Sequence, residues 1–278
     1  MLGRALKMAF WVTYDHLGKL VIASLLWSLS VSIPAMAGVT AFVSHDPGLQ
    51  LVVGIPCLVL CIGVVLPVMS AGIAHMVKEL IDTRDGSLRT MLEGIRLYWR
   101  RAIGVGFAYL AALVCLPTSV WFYASKLREQ APLVGYALSA LALWCLLFIG
   151  LMSLLVVPTL VQKKANLFQT LKLTALLVLD NPLFSVGLAM QVLAFTAIAV
   201  VLSPVFFFLY GGMVVALTCS AYEMLARKYD AAADTGDAGS KSSHVRGLGT
   251  QGAEAHDPDE DDDYLNRGLR DFLFPWKG

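Results

Sequence analysis

Six apolar stretches that contain no Asp, Glu, Lys or Arg constrain this chain more than any other feature of its sequence. Each is long enough to cross the hydrocarbon core of a bilayer as a helix, which takes about 20 residues. A helix also satisfies its own backbone hydrogen bonds, as a segment surrounded by lipid must. We therefore predict an all-α, polytopic membrane helix bundle. The predicted transmembrane helices are Leu20–Val43, Leu49–Val77, Ala102–Ala124, Pro132–Val161, Leu183–Leu202 and Pro204–Tyr222.

The composition agrees with a membrane protein. Of the 278 residues, 58% are apolar and 15% are charged, whereas a soluble domain carries about 25% charged residues. Mean hydropathy is +0.70. The net charge is only +1 and the basic residues are not concentrated in one arm, so we expect the lipid bilayer, and no nucleic acid, as a partner.

The first apolar run has two interpretations. Ala35 and Ala37 give the small-x-small pattern of a signal-peptide cleavage site, and basic residues precede the run. A retained first helix is favoured instead, because the polar lead of residues 1–19 is long for a signal peptide. The next span also follows closely, after residues 44–48.

Positive charges are distributed unevenly between the two sides of the predicted bundle. Lys and Arg are frequent in segments 1–19, 78–101 and 162–182 and after the last span, all of which alternate onto one side. The opposite side carries only Lys126 and Arg128. Short loops rich in Lys and Arg stay in the cytoplasm. We therefore predict that both termini are cytoplasmic.

The polar segment 80–98 predicts a cytoplasmic helix lying at the membrane interface. Its apolar residues recur at helical spacing beside several arginines, and Ser87 can cap its start. Two roles remain open: a coupling helix that binds a partner protein, and a surface helix that faces anionic lipid. The candidate partner contacts are Leu88, Leu92, Ile95 and Trp99.

A second interfacial helix is predicted over residues 165–179. Its apolar stripe is Leu167, Phe168, Leu171 and Ala175. Asp180, Asn181 and Pro182 then end this helix and cap the fifth span. Capping explains Asp180 and Asn181, and a binding role for either stays open.

The chain changes character after Tyr229, which divides it into three predicted parts. Residues 1–229 form the transmembrane domain, 230–263 a disordered acidic linker, and 264–278 a short amphipathic docking segment. Three docking partners remain open: the protein's own cytoplasmic face, the bilayer interface and another protein. The candidate contacts in this segment are Leu269, Phe272 and Trp276.

No pattern in the sequence predicts catalysis, so we expect a protein that is not an enzyme and that needs no cofactor or metal. A Gly-rich phosphate loop and a His pair with Glu at helical spacing are missing. Cys57 and Cys61 share a helix face, but no further ligand lies near them in the sequence. Gln191, the most polar amide within the spans, is predicted to form an interhelical hydrogen bond.

Three stretches carry a family resemblance: Leu29–Gly38 (LSVSIPAMAG), Pro67–Arg101 (PVMSAGIAHMVKELIDTRDGSLRTMLEGIRLYWRR) and Leu171–Leu183 (LKLTALLVLDNPL). They resemble the YesL-like family of uncharacterised bacterial integral membrane proteins. The resemblance implies a location in the bacterial cytoplasmic (inner) membrane and an accessory role beside a carbohydrate uptake system. It implies no catalytic residue.

Two functions follow as hypotheses. The first is a non-enzymatic membrane accessory or scaffold protein whose cytoplasmic helices, and the end of the tail, contact transporter subunits. The second is a permease subunit of a transporter that works with a separate ATPase, with the helix at 88–99 as the coupling element.

Overall fold

The computed structural model describes residues 1–127, 131–163 and 166–236, with residues 230–236 as backbone only. Throughout these residues the ordered elements are helices. They are α1 (Leu2–Asp15), α2 (Leu17–Val43), α3 (Pro47–Asp82), α4 (Leu88–Leu127), α5 (Pro132–Lys163), α6 (Leu167–Asp180), α7 (Pro182–Val201) and α8 (Ser203–Tyr229). The helical backbone of α8 continues to Gly236, so the predicted linker boundary at residue 230 falls inside a helix.

Six of these helices are long and apolar enough to cross a membrane: α2, α3, α4, α5, α7 and α8. Each predicted span coincides with one of them to within a residue or lies inside it. The predicted all-α bundle with six transmembrane helices is confirmed. The docking segment 264–278 and nearly all of the predicted linker lie outside the described residues.

Two π-turns interrupt α3, at Gln50–Gly54 and at Cys61–Val65. Each π-turn directly precedes a helical segment that carries proline at its second residue, Pro56 or Pro67. A proline ring clashes with the carbonyl four residues earlier and offers no N–H to it. The wider π-turn accommodates this clash and lets α3 continue as one span.

The buried core lies toward one end of the bundle. We call this the basic end, because most of the described Lys and Arg residues lie in the segments that meet there, 1–19, 78–101, 163–172 and 227–228. The core comes from residues 5–12 of α1, 71–81 of α3, 91–102 of α4, 152–161 of α5 and 215–225 of α8. Toward the opposite end, large apolar side chains such as Trp121, Leu133 and Trp144 are exposed. In a bilayer, lipid chains cover such surfaces.

Helix α1 lies within residues 1–19, for which the sequence predicts only a polar lead. Ala5, Met8 and Val12 are buried at helical spacing and pack toward α8, while Arg4 is exposed. The side chain of Leu2 reaches α7, because a Cβ on Gly187 would lie 2.8 Å from its Cδ2 atom. The first residues therefore complete the core at the basic end.

Close packing of α3 on α4 depends on glycine. A Cβ on Gly72 would lie 2.6 Å from Cγ1 of Ile95, and a Cβ on Gly94 would lie 2.6 Å from Cβ of His75. Both distances are shorter than carbon atoms tolerate, so each glycine is required for the observed helix separation. Small residues at a helix interface are the usual means of close approach in membrane proteins.

Candidate interaction surface

The turn between α3 and α4 sets where the candidate surface begins. A Cβ on Gly86 would lie 2.7 Å from the carbonyl oxygen of Met76, so this turn folds tightly back onto the end of α3. Ser87 then caps α4: its Oγ accepts from the backbone N–H of Thr90 at 3.4 Å, and its own N–H donates to Thr90 Oγ1 at 3.3 Å. The predicted capping role of Ser87 is confirmed.

The segment 88–101 is the first part of a transmembrane helix, not the separate interfacial helix that the sequence predicted. The α-helix runs without a break from Leu88 to Phe122. At 1.5 Å per residue, about 20 Å of α4 precedes its uncharged stretch, which starts at Ala102. The polar segment is therefore the first part of α4, which packs beside residues 72–75 of α3 at the basic end, and we call it the projection.

One side of this projection is held in the core. Met91, Gly94 and Tyr98 are buried at spacings of three and four residues, the spacing of one helix face. The hydroxyl of Tyr98 donates to the carbonyl oxygen of Val161 on α5 at 3.0 Å. The Tyr98 ring also lies 5.7 Å, centroid to centroid, from that of His75 on α3. The projection is thus fixed to two neighbouring helices.

The other side of the projection is exposed, and we call it the exposed α4 face. Its residues are Arg89, Leu92, Glu93, Arg96, Leu97, Trp99 and Arg100. The arginines form its centre at helical spacing, with Leu92 and Trp99 on one flank and Leu97 on the other. A face that combines arginine with tryptophan and leucine has the composition of protein interfaces.

The predicted partner contacts on α4 fall into two groups. Leu92 and Trp99 lie on the exposed α4 face, 58% and 45% exposed. Leu88 and Ile95 instead pack against the core, because Ile95 fills the space beside Gly72. Leu97 is 59% exposed and was missed by the sequence analysis, since helical spacing alone does not show which neighbour covers which face.

Two local contacts involve arginines of the exposed α4 face. The Nε atom of Arg89 lies 3.2 Å from Oε1 of Glu93, and both side chains are largely exposed. The Arg100 guanidinium lies 5.2 Å from the centroid of the Trp99 ring. An exposed ion pair contributes little to stability, so these contacts leave the face available to another charged surface.

The three candidate contacts in the tail, Leu269, Phe272 and Trp276, lie outside the described residues.

Helix α6 buries a face that overlaps the predicted apolar stripe, since Leu171 and Ala175 pack against the core. Its buried residues are Thr170, Thr174 and Val178. The hydroxyl of Thr174 donates to the carbonyl oxygen of Thr170 at 2.8 Å, so burial leaves it satisfied. Phe168, which was predicted in the apolar stripe, is 79% exposed. Of the predicted stripe, Leu171 and Ala175 therefore pack against the core and Phe168 does not, and two threonines complete the buried face.

A polar cluster joins the α6–α7 corner to the end of α8. Tyr229 donates a hydrogen bond to Asp180, and Asn181 Nδ2 donates to the Tyr229 hydroxyl at 2.7 Å. Lys228 Nζ donates to Asn181 Oδ1 at 2.6 Å. Asn181 occupies the N-cap position of α7, as predicted, but its side chain makes no capping bond to α7; its Nδ2 also donates to the carbonyl oxygen of Leu177 in α6 at 3.4 Å. The Asn181 side chain connects two distant parts of the chain instead.

Serine and tryptophan side chains make hydrogen bonds between helices inside the bundle. Trp27 Nε1 donates to Ser70 Oγ at 3.1 Å, and the N–H of Gly212 donates to Ser24 Oγ at 2.7 Å. The amide of Gln191 does not share in this bonding. Its Oε1 is buried and has no hydrogen-bond partner within the described residues. The predicted interhelical bond of Gln191 is therefore not made there.

Two grooves on the bundle are lined by apolar residues. One of about 200 Å³ lies between α4, α5 and α6, lined by residues that include Tyr109, Met152 and Leu171. Another, of about 450 Å³, runs along α5 beside Trp144. Within the described ranges, no group of three or more His, Cys, Asp and Glu side chains is placed to hold a metal ion. The exposed α4 face is thus the best candidate for a functional site.

The fold and this surface define a polytopic α-helical membrane protein with an exposed basic and aromatic helix face. No family model matches the chain, and no curated protein or solved structure has significant similarity to it.

Proposed function

We propose that this protein is a non-enzymatic membrane accessory or scaffold protein that binds a second membrane protein, such as a transporter subunit, through the exposed α4 face. The excess of Lys and Arg at the basic end supports a cytoplasmic position for that end and for both termini. The YesL-like resemblance adds the expectation of a bacterial inner membrane and a carbohydrate transporter as partner.

The observation that carries the proposal is the rigid presentation of this face. Gly94 and Tyr98 fix one side of the projection against α3 and α5, while Leu92, Leu97 and Trp99 remain exposed on the other. A rigid face loses little conformational freedom on binding, so more of the contact energy appears as affinity. Tryptophan and arginine are the residues most enriched among energetically dominant interface contacts.

The test combines crosslinking in cells with affinity measurement. A photo-crosslinking amino acid at position 97 captures the neighbour of the face, which mass spectrometry identifies. The captured protein is then purified and its affinity for the intact chain is measured in lipid nanodiscs. Trp99→Ala is expected to weaken this affinity about 30-fold, the effect of losing one dominant aromatic contact.

The matched control is Phe168→Ala, which removes an exposed aromatic residue from α6 at the same end of the bundle. It is expected to leave the affinity unchanged. Equal affinity for the intact chain, Trp99→Ala and Leu92→Ala would overturn the proposal.

A second candidate function is a permease subunit driven by a separate ATPase. It is favoured by the two π-turns of α3, because π-turns often mark places where a helix changes shape for function. Co-reconstitution with the captured protein distinguishes the two functions if that protein is an ATPase. Hydrolysis stimulated by the intact chain and lost with Trp99→Ala supports the permease, whereas binding without stimulation supports the scaffold.

A further inference from the structure

The exposed α4 face and the end of α8 lie at the same end of the bundle. Helix α3 packs against both α4 and α8. Packed helix axes are separated by about 8–10 Å, so the axes of α4 and α8 are at most about 20 Å apart. A segment that follows α8 therefore begins at the same end of the bundle as the three arginines of the face and has to pass α3 to reach them.

The sequence after α8 contains a counterpart to this face. The run 257–263 (DPDEDDD) is strongly acidic, and aromatic and aliphatic residues follow it. These are Tyr264, Leu265, Leu269, Phe272, Leu273, Phe274 and Trp276. The exposed α4 face combines arginines with leucine and tryptophan, and the segment 257–278 combines carboxylates with apolar residues. The two are therefore complementary in charge and in apolar character.

We infer that the segment 257–278 of this chain docks in cis on the exposed α4 face, with its acidic run on Arg89, Arg96 and Arg100. The apolar residues that follow the run then contact Leu92 and Trp99. Opposite charges favour contact between the acidic run and these arginines, and like charges disfavour contact of the run with acidic surfaces. Docking covers the surface that the proposed partner binds. Competition between the docked segment and the partner therefore rests on the proposed function, whereas docking itself does not.

The connecting chain is long enough for this docking. About 20 residues, 237–256, separate the last helical residue, Gly236, from the acidic run, and at full extension they reach at most about 70 Å. The axes of α4 and α8 are at most about 20 Å apart, so the connecting chain has enough length to pass around α3. A tethered segment that can span the distance has an effective concentration in the millimolar range, so modest contacts suffice.

Charge favours the chain's own α4 face over the bilayer as the docking site. The cytoplasmic leaflet is negatively charged and attracts basic segments, so it repels the carboxylates of 257–263. The arginines of the exposed α4 face attract the same carboxylates. Arg267, Arg270 and Lys277 lie among the apolar residues, so the six carboxylates of 257–263 alone supply the preference for the protein.

Photo-crosslinking on the full-length chain tests the inference. p-Benzoylphenylalanine replaces Trp99 in one variant and Phe168 in a matched control, both in phosphatidylcholine nanodiscs at low salt. Mixed isotope-labelled and unlabelled protein distinguishes adducts within one chain from adducts between copies. The expected result is an adduct between position 99 and a peptide of 257–278 within one chain, and little such adduct from position 168.

Neutralising the acidic run tests the proposed charge pairing. Asp→Asn at positions 257, 259, 261, 262 and 263 with Glu260→Gln is expected to lower the adduct yield about tenfold, as the loss of several exposed ion pairs predicts. High salt is expected to lower the yield of the unchanged tail in the same way. Size-exclusion profiles and thermal unfolding confirm that each variant is folded.

Three results would overturn cis docking: adducts to lipid without tail adducts, tail adducts that join different copies, and equal tail adducts from positions 99 and 168. The partner affinity experiment separates this inference from the proposed function. Tail adducts without any partner on the face would leave docking standing and remove the proposed function. Partner binding without tail adducts would leave the proposed function standing and remove cis docking.

Discussion

The carbonyl oxygen of Gly63 in α3 occupies the position where a side chain on Gly106 of α4 would begin. Pro67, four residues after Gly63, has no N–H to donate to this carbonyl. The proline ring also touches the same spot, since a Cβ on Gly106 would lie 2.7 Å from Pro67 Cγ. The two helices thus approach with backbone against backbone, a geometry that permits a Cα–H···O contact.

Gly106→Ala is expected to destabilise the bundle, because the new methyl group overlaps both Gly63 and Pro67. Overpacking of this kind costs about 1–3 kcal/mol, which lowers the melting temperature in detergent. Gly150→Ala is the matched control, because nothing lies within 4 Å of an added Cβ there. It is expected to keep or slightly raise the melting temperature, since alanine favours the helix. Equal melting temperatures for the two variants would contradict the packing described.

Gln191→Met is expected to stabilise the protein. The Oε1 of Gln191 is buried without a partner within the described residues, and an unsatisfied buried polar atom costs about 1–3 kcal/mol. Methionine keeps a similar volume and removes that cost. In contrast, Gln50→Met removes the bond from Nε2 to the carbonyl oxygen of Phe42, 3.3 Å long, and is expected to bring no gain. A fall in melting temperature with Gln191→Met would show that this amide is satisfied in the membrane.

Tyr229→Phe is expected to loosen the corner between α6 and α7. It removes the hydroxyl that donates to Asp180 and accepts from Asn181, a loss of about 1 kcal/mol or more for a polar pair. Hydrogen exchange measures the effect locally, as faster exchange in residues 177–186. Tyr123→Phe, at the opposite end, is the control and should leave this corner unchanged. Unaltered exchange in Tyr229→Phe would exclude a structural role for the cluster.

The protein is expected to lose stability on acidification because of His16, which lies between α1 and α2. Burial lowers the pKa of His16 below its usual value of 6.5, and Lys19 and Arg84 lower it further, while Asp15 opposes them. The folded state therefore binds a proton less readily than the unfolded state. Stability falls as the pH drops below about 6.5 and levels off below the folded-state pKa.

Thermal unfolding of the wild type and of His16→Gln between pH 7.5 and 5 measures this effect. The variant has no imidazole to titrate, so its melting temperature should depend less on pH over that range. Parallel pH profiles would assign the acid sensitivity to other groups.

Local features of the sequence were enough to predict several elements correctly. The six uncharged runs predict the spans because crossing a membrane depends on length and composition alone. Ser87 predicts the start of α4 because a cap needs only neighbouring backbone groups. The exposure of Leu92 and Trp99 agrees with the predicted surface, but Ile95 was placed wrongly on it. Its position depends on Gly72, which is distant in sequence.

The sequence by itself determined the all-α membrane architecture, the six spans and the concentration of basic residues on one side. Only the tertiary structure decided that α1 is part of the core, that α4 runs as one continuous helix, and that Asn181 contacts Lys228 and Tyr229. Hydropathy and capping act over a few neighbouring residues. Which face of a helix is buried depends instead on the shape of helices far away in the chain, above all where glycine allows close approach.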